Sequence, residues 1–122
     1  MQKAKKRLRI TGSGGTALEV SDFGRSVAFY RDTLGLDVKI YADDHFAMIP
    51  SVNLALLGVE GKVASKGFHI ELDVTDVDAW YEHIKAKGVK PLSRPRNQPW
   101  GERVFYVADP DGHEIEFQGE GL

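Results

Sequence analysis

The chain has no cysteine, so disulfides, thiolate metal sites and cysteine nucleophiles are excluded. It has no apolar run near the roughly 20 residues of a membrane-spanning helix. No apolar signal core opens the chain, which leaves secretion without support and makes a cytoplasmic protein the expectation. An excess of positive charge is lacking too: 16 basic against 18 acidic residues give a net charge of -2. That balance argues against nucleic acid as a partner, as the missing span argues against a membrane. Gly12-Ser13-Gly14-Gly15 lacks the Gly-Lys-Ser/Thr ending of a phosphate loop and reads as a flexible entry to the first strand. No Gly-x-Ser-x-Gly elbow occurs, and Ser21, Ser26, Ser51, Ser65 and Ser93 have no triad-like context.

What is present suits a soluble globular chain. The 122 residues are 42% hydrophobic and 28% charged, enough to bury a core in one domain or two small fused repeats. Positive charge gathers at Lys3, Lys5, Lys6, Arg7 and Arg9, where a solvated, frayed end is expected. Residues 1–14 are therefore read as a basic flexible segment, and 15–122 as a single domain.

The domain repeats itself. Leu18-Glu19-Val20-Ser21-Asp22 is matched by Leu72-Asp73-Val74-Thr75-Asp76, and 76 minus 22 gives an offset of 54. Both runs alternate apolar and polar residues, as a strand with one buried face must. Both end in Ser/Thr-Asp, whose side-chain oxygens can accept the free N–H groups at a helix start. Each continues as an amphipathic helix rich in core aromatics, with Phe29 and Tyr30 in one and Trp80 and Tyr81 in the other. Each helix is expected to stop at a glycine, Gly35 or Gly88. Strand-like runs follow at about 36–42, 45–49 and 52–57, then at about 89–92, 103–108 and 113–118. Asp109-Pro110-Asp111-Gly112 marks the last turn. The architecture predicted is α+β: two tandem βαβββ repeats, at about 15–58 and 67–119, forming a cup-shaped mixed sheet with helices outside.

Alternation assigns the faces. Ile70, Leu72, Ile115 and Phe117 should cover the second helix, which leaves His69, Glu71, Asp73, Glu114, Glu116 and Gln118 on the other face. In the first half Leu18, Val20, Leu54 and Leu56 take the helix side, leaving Gly15, Ala17, Glu19 and Ala55. The non-helix face is thus polar and acidic in the second half. His45, His83 and His113 read as surface or edge histidines.

Two stretches resemble a known family. Val20-Ser21-Asp22 with Phe29-Tyr30-Arg31-Asp32-Thr33-Leu34-Gly35-Leu36 resembles the opening helix of the vicinal-oxygen-chelate superfamily, and Phe105 through Phe117 resembles its closing hairpin. That superfamily holds glyoxalases, extradiol dioxygenases, fosfomycin-inactivating enzymes and bleomycin-resistance proteins. Its metal-using members take ligands from four strands facing into the cup. Carried over, His69 matches the fifth-strand ligand and Glu116 the eighth. The first-strand position falls at Gly15 and the fourth near Ala55, neither of which has a side-chain donor.

Two protein ligands fall short of the three that a catalytic divalent ion usually takes. Glu19 is on the correct face but two positions along, roughly 6–7 Å off at the rise of a strand. Glu71 or Glu114 could add an oxygen, although neighbouring strand positions rarely converge on one ion. The loop 93–101, ending in Pro99-Trp100-Gly101, resembles the bleomycin-resistance members, which form homodimers and sequester a cationic drug without a catalytic metal. The resemblance implies a metal-independent pocket for a cationic or aromatic small molecule, lined by Glu19, Phe46, Met48, His69, Glu71, Trp100, Phe105, Glu114 and Glu116, in a homodimer with no cofactor. A metal-dependent lyase or dioxygenase using His69 and Glu116 stays open as an alternative. So does a non-catalytic module that binds a protein partner.

Overall fold

The computed structural model describes residues 8–122. Lys3, Lys5, Lys6 and Arg7 of the basic run lie outside them, and residues 8–14 are exposed without regular structure. The first repeat runs β1 (Thr16–Val20), α1 (Phe23–Ala28), β2 (Lys39–Ala42), β3 (Phe46–Ile49) and β4 (Leu54–Gly58). The second runs β5 (His69–Asp73), α2 (Val77–Ala86), β6 (Arg96–Asn97), β7 (Glu102–Ala108) and β8 (Glu114–Glu120). The strands hydrogen-bond as two four-stranded mixed sheets, β1-β4-β3-β2 and β5-β8-β7-β6. In each the first strand pairs parallel to the last, and the remaining pairs are antiparallel.

The helix signals act as the residues require. Asp22 and Asp76 each accept from a backbone N–H three residues on, those of Arg25 and Ala79. Gly35 and Gly88 take φ of +73° and +84°, the left-handed conformation that glycine adopts without penalty. α1 is shorter than its pattern suggests. It passes into a π-helical turn, Phe29–Thr33, in which Leu34 N–H donates to the Phe29 carbonyl at 3.1 Å. The strand expected over 89–92 does not form, and the edge strand of the second sheet is the two-residue β6. Pro91 and Pro95 each lack an N–H for a ladder, and Leu92 N–H alone of its neighbours reaches β7, at the Tyr106 carbonyl.

Both sheets bury one face on the same core. Leu18, Val20 and Leu56 of the first join Ile70, Leu72, Ile115 and Phe117 of the second, with Val27, Tyr30 and Ile84 from the helical segments. Burial of this apolar area is the main drive to fold.

The turn before β8 also ties the repeats together. Gly112 closes it, at φ +89°, with its N–H donating to the Asp109 carbonyl at 2.9 Å. Asp109 is buried, and its Oδ1 accepts from the N–H of His113 at 2.8 Å and of Asp111 at 3.0 Å. Its Oδ2 accepts from the Tyr30 hydroxyl at 2.7 Å, across the boundary between repeats. Asp111 accepts from both the N–H and the hydroxyl of Ser21. His113 departs from the sequence expectation of a surface or edge residue. It is 1% exposed, and its Nε2 lies 2.8 Å from the Glu19 carbonyl. A carbonyl only accepts, so Nε2 carries a hydrogen. Burial pushes the Asp109 carboxyl up, against the hydrogen bonds that pull it down. Burial first, and the Asp109 charge second, push the Tyr30 phenol well above its ordinary range.

Candidate functional site

Each sheet turns one face away from the helices. On the second sheet the pairing of β5 with β8 sets His69 opposite Glu114, Glu71 opposite Glu116 and Asp73 opposite Gln118. The pairing of β7 with β8 adds Tyr106 beside Glu116. These residues share the open face because strand alternation sends their neighbours Ile70, Leu72, Phe105 and Phe117 into the core.

One nitrogen of His69 and one oxygen each of Glu71 and Glu116 lie within 4.8 Å of one another. His69 Nε2 lies 2.9 Å from Glu71 Oε2. The Tyr106 hydroxyl donates to Glu116 Oε1 at 2.5 Å, and the Tyr106 ring meets His69 edge-on at 5.9 Å. Glu116 is 8% exposed, whereas His69 and Glu71 are open to solvent. The hydrogen bond to Glu116, with a lesser part from burial, pushes the Tyr106 phenol up to about 12.

The first sheet has the same construction and other side chains. β1 pairs with β4 so that Ala17 stands opposite Ala55 and Glu19 opposite Leu57. Ala17 and Ala55 thus occupy the places of Glu71 and Glu116. Phe46 pairs with Leu57 and Met48 with Ala55, which puts both on this open face, half-buried, as expected from alternation. Gly15 precedes β1 at φ +99°, and a Cβ there would meet the Asn53 carbonyl and side-chain oxygens at 2.8 Å. Backbone and space both oppose a ligand-bearing side chain at that position. A cavity of about 90 Å³ lies beside Gly15, Ala17, Met48 and Ala55.

The sequence-predicted residues therefore divide. His69, Glu71 and Glu116 come together, with Glu114 on the same face opposite His69. Glu19, Phe46 and Met48 lie on the other open face, and the carboxylate of Glu19 is not among the converging donors. Trp100 is 68% exposed in the turn between β6 and β7, beyond Glu102. The strand from Glu102 to Tyr106 spans about 13 Å at about 3.3 Å per residue, so the Trp100 backbone stands well apart from the donors.

Phe105 is a correction. It is fully buried on the helix side, stacked on Phe117 at 4.8 Å and edge-on to Tyr81 at 5.4 Å. Its antiparallel pairing with Phe117 forces this, and the same pairing turns Tyr106 to the open face. Tyr106 was missed although that alternation could have found it. The convergence of Glu71 is the second difference. Glu71 and His69 are two apart on one strand, so they share a face, and Glu71 leans back to His69.

One imidazole nitrogen and two carboxylate oxygens form a donor set that suits a divalent transition ion, with positions left for water or a ligand. The same atoms are also satisfied by one another and by Tyr106.

Sequence and fold both relate this chain to known proteins. Residues 13–117 match the family model described as the Glyoxalase/Bleomycin resistance protein/Dioxygenase superfamily. The chain is 33% identical to the uncharacterized protein YraH of Bacillus subtilis (strain 168), over 81% of this chain and 91% of that protein. It is 31% identical to a bleomycin resistance protein of Geobacillus stearothermophilus, over 83% and 91%. Among solved structures it resembles the genomically encoded fosfomycin resistance protein FosX of Listeria monocytogenes, with a TM-score of 0.74 and 25% identity over 93% of this chain and 97% of that one. The chain belongs to the glyoxalase, bleomycin resistance protein and dioxygenase superfamily.

Proposed function

We propose that the protein is a metal-independent small-molecule binder that sequesters a cationic or aromatic compound on its open faces. The observation that carries this reading is the second sheet's open face. It sets Glu71, Asp73, Glu114 and Glu116 together, with no lysine or arginine paired among them on β5 and β8. A cation brought there gains charge-assisted hydrogen bonds. Phe46 and Met48 on the first sheet offer flat and adaptable apolar surface for rings. Absence of donor side chains at Gly15, Ala17 and Ala55 supports binding over metal chemistry. A homodimer fits the exposure of both open faces and of Ile40 and Tyr41 on the edge strand β2, which a second copy would cover.

A second reading has one observation in its favour: the convergence of His69, Glu71 and Glu116. In it these three residues hold a divalent ion, which would supply Lewis-acid activation of a bound oxygen. His69 and the two carboxylates then serve as its ligands, and Tyr106 orients Glu116.

Metal analysis and calorimetry decide between them. Chelator-treated protein titrated with bleomycin should bind saturably, and Glu71→Gln with Glu116→Gln should weaken that binding at least about tenfold. Stoichiometric Ni, Zn, Fe or Mn in the purified protein, lost in His69→Ala, would overturn the metal-independent reading.

A further inference from the structure

A second cavity lies where the repeats meet. It measures about 490 Å³, within the range of small-molecule sites. The first repeat contributes Leu36 and Val52, and the second contributes Trp80 and Phe117, whose rings lie 5.6 Å apart. Glu71, Leu72 and Asp73 of β5 and Val74 just beyond it all line it. Successive residues of a strand point to opposite faces, so a cavity touching Glu71, Leu72 and Asp73 in a row must wrap the strand's edge. Among the described residues that edge is free: β5 ends its sheet and pairs only with β8.

The charge at this edge has one sign. Glu71 and Asp73 stand at the rim, and no lysine, arginine or histidine lines the cavity. Glu71 uses Oε2 toward His69, and Asp73 uses Oδ1 to accept from Gln118 Nε2 at 2.8 Å, so each carboxylate keeps a second oxygen. Trp80 is half-buried and lines the cavity. Apolar walls, an indole ring and two rim carboxylates are the features that recognise an ammonium group joined to a hydrophobic body.

We propose that this seam cavity is a ligand site separate from the open faces, for a small molecule that carries a protonated amine on an aromatic or aliphatic body. The amine lies at the edge of β5 between Glu71 and Asp73. The body fills the space between Trp80, Phe117, Leu36 and Val52. Glu71 and Asp73 belong to both sites, so a ligand in the seam draws on the carboxylate that faces His69.

Fluorescence tests this directly. The chain has two tryptophans, and Trp100→Phe leaves Trp80 as the only reporter. In that background phenethylammonium should shift Trp80 emission saturably, and phenethyl alcohol, its neutral counterpart, should bind roughly fivefold more weakly or less. Asp73→Asn should remove most of that preference, and Val52→Phe should abolish the saturable change by filling the cavity. Glu116→Gln should leave the seam titration unchanged while it weakens open-face binding, which separates this proposal from the preceding one. Each variant is checked for a native circular dichroism spectrum, and Asp73→Asn alone carries the test if Val52→Phe does not fold. No saturable change, equal binding of amine and alcohol, or a Val52→Phe variant that binds as well as its parent would overturn the assignment.

Discussion

Strand pairs β1–β4 and β5–β8 are one construction filled in two ways. On the helix side they are interchangeable in kind: Leu18 stands opposite Leu56 as Leu72 stands opposite Phe117, and all four belong to one core. On the open side Ala17 stands opposite Ala55, where the second repeat has Glu71 opposite Glu116. The helix faces are held alike because close packing penalises any change of volume or polarity. The open faces feel no such constraint. One is mostly apolar, with Ala17, Phe46, Met48 and Ala55 beside Glu19, and the other is acidic with a histidine and a tyrosine. Chemistry in this chain is therefore concentrated in the second repeat, and the first contributes surface.

The strongest way to break that comparison is through the shared core. Phe117→Ala should cost about 3–5 kcal/mol and Leu56→Ala about 2–5 kcal/mol, with both repeats lost in one urea transition. Separate transitions for the two halves would show that the core is not common.

A smaller effect is expected at the boundary. Tyr30→Phe removes the hydroxyl that donates to the buried Asp109 and should cost about 1–3 kcal/mol. Burial already raises the Asp109 carboxyl, so this group favours the fold below its unfolded value of about 3.9 and loses that contribution as pH rises through the folded one. The Tyr30 hydrogen bond holds the folded value down. Its loss should make the deficit of the variant grow as pH rises from about 4 toward neutrality. A deficit that shrinks over that window in paired urea titrations would contradict the assignment of Tyr30 as the donor.

The smallest effect sharpens the comparison without changing stability much. Tyr106, pushed up to about 12 chiefly by its bond to Glu116, should ionise late in an ultraviolet titration in the presence of a chelator. Glu116→Gln should return it toward about 10. Ala55→Gln, at the same place in the first repeat, should leave it unmoved.

Much of this was legible in the sequence because the repeat made one half a guide to the other. The offset between Asp22 and Asp76 located both helix starts, and alternation placed His69, Glu71 and Glu116 on one face and Phe46 and Met48 on the matching one. Side-chain reach was not legible. Nothing in the spacing of His69 and Glu71 says that the glutamate folds back along its strand, so the third donor looked out of place until the geometry was known. Phe105 was misassigned because an aromatic beside a proposed pocket was read by chemistry before its register with Phe117 was worked through. The turn at Asp109 read as a hairpin signal and no more, because its partners Tyr30, Glu19 and Ser21 lie in the other repeat, far away along the chain.

That turn has a consequence for how such a chain can change. Asp109, Asp111 and His113 are among the residues that fasten the repeats to each other, and none of them belongs to either open face. Mutations that exchange open-face side chains therefore leave the fastening untouched. A chain built on this plan can carry no donor side chain at Ala17 and Ala55 of one repeat and carboxylates at Glu71 and Glu116 of the other, and still keep the same folded frame. Selection for persistence and selection for new ligands act on separate sets of positions, which gives the duplicated fold room to diverge.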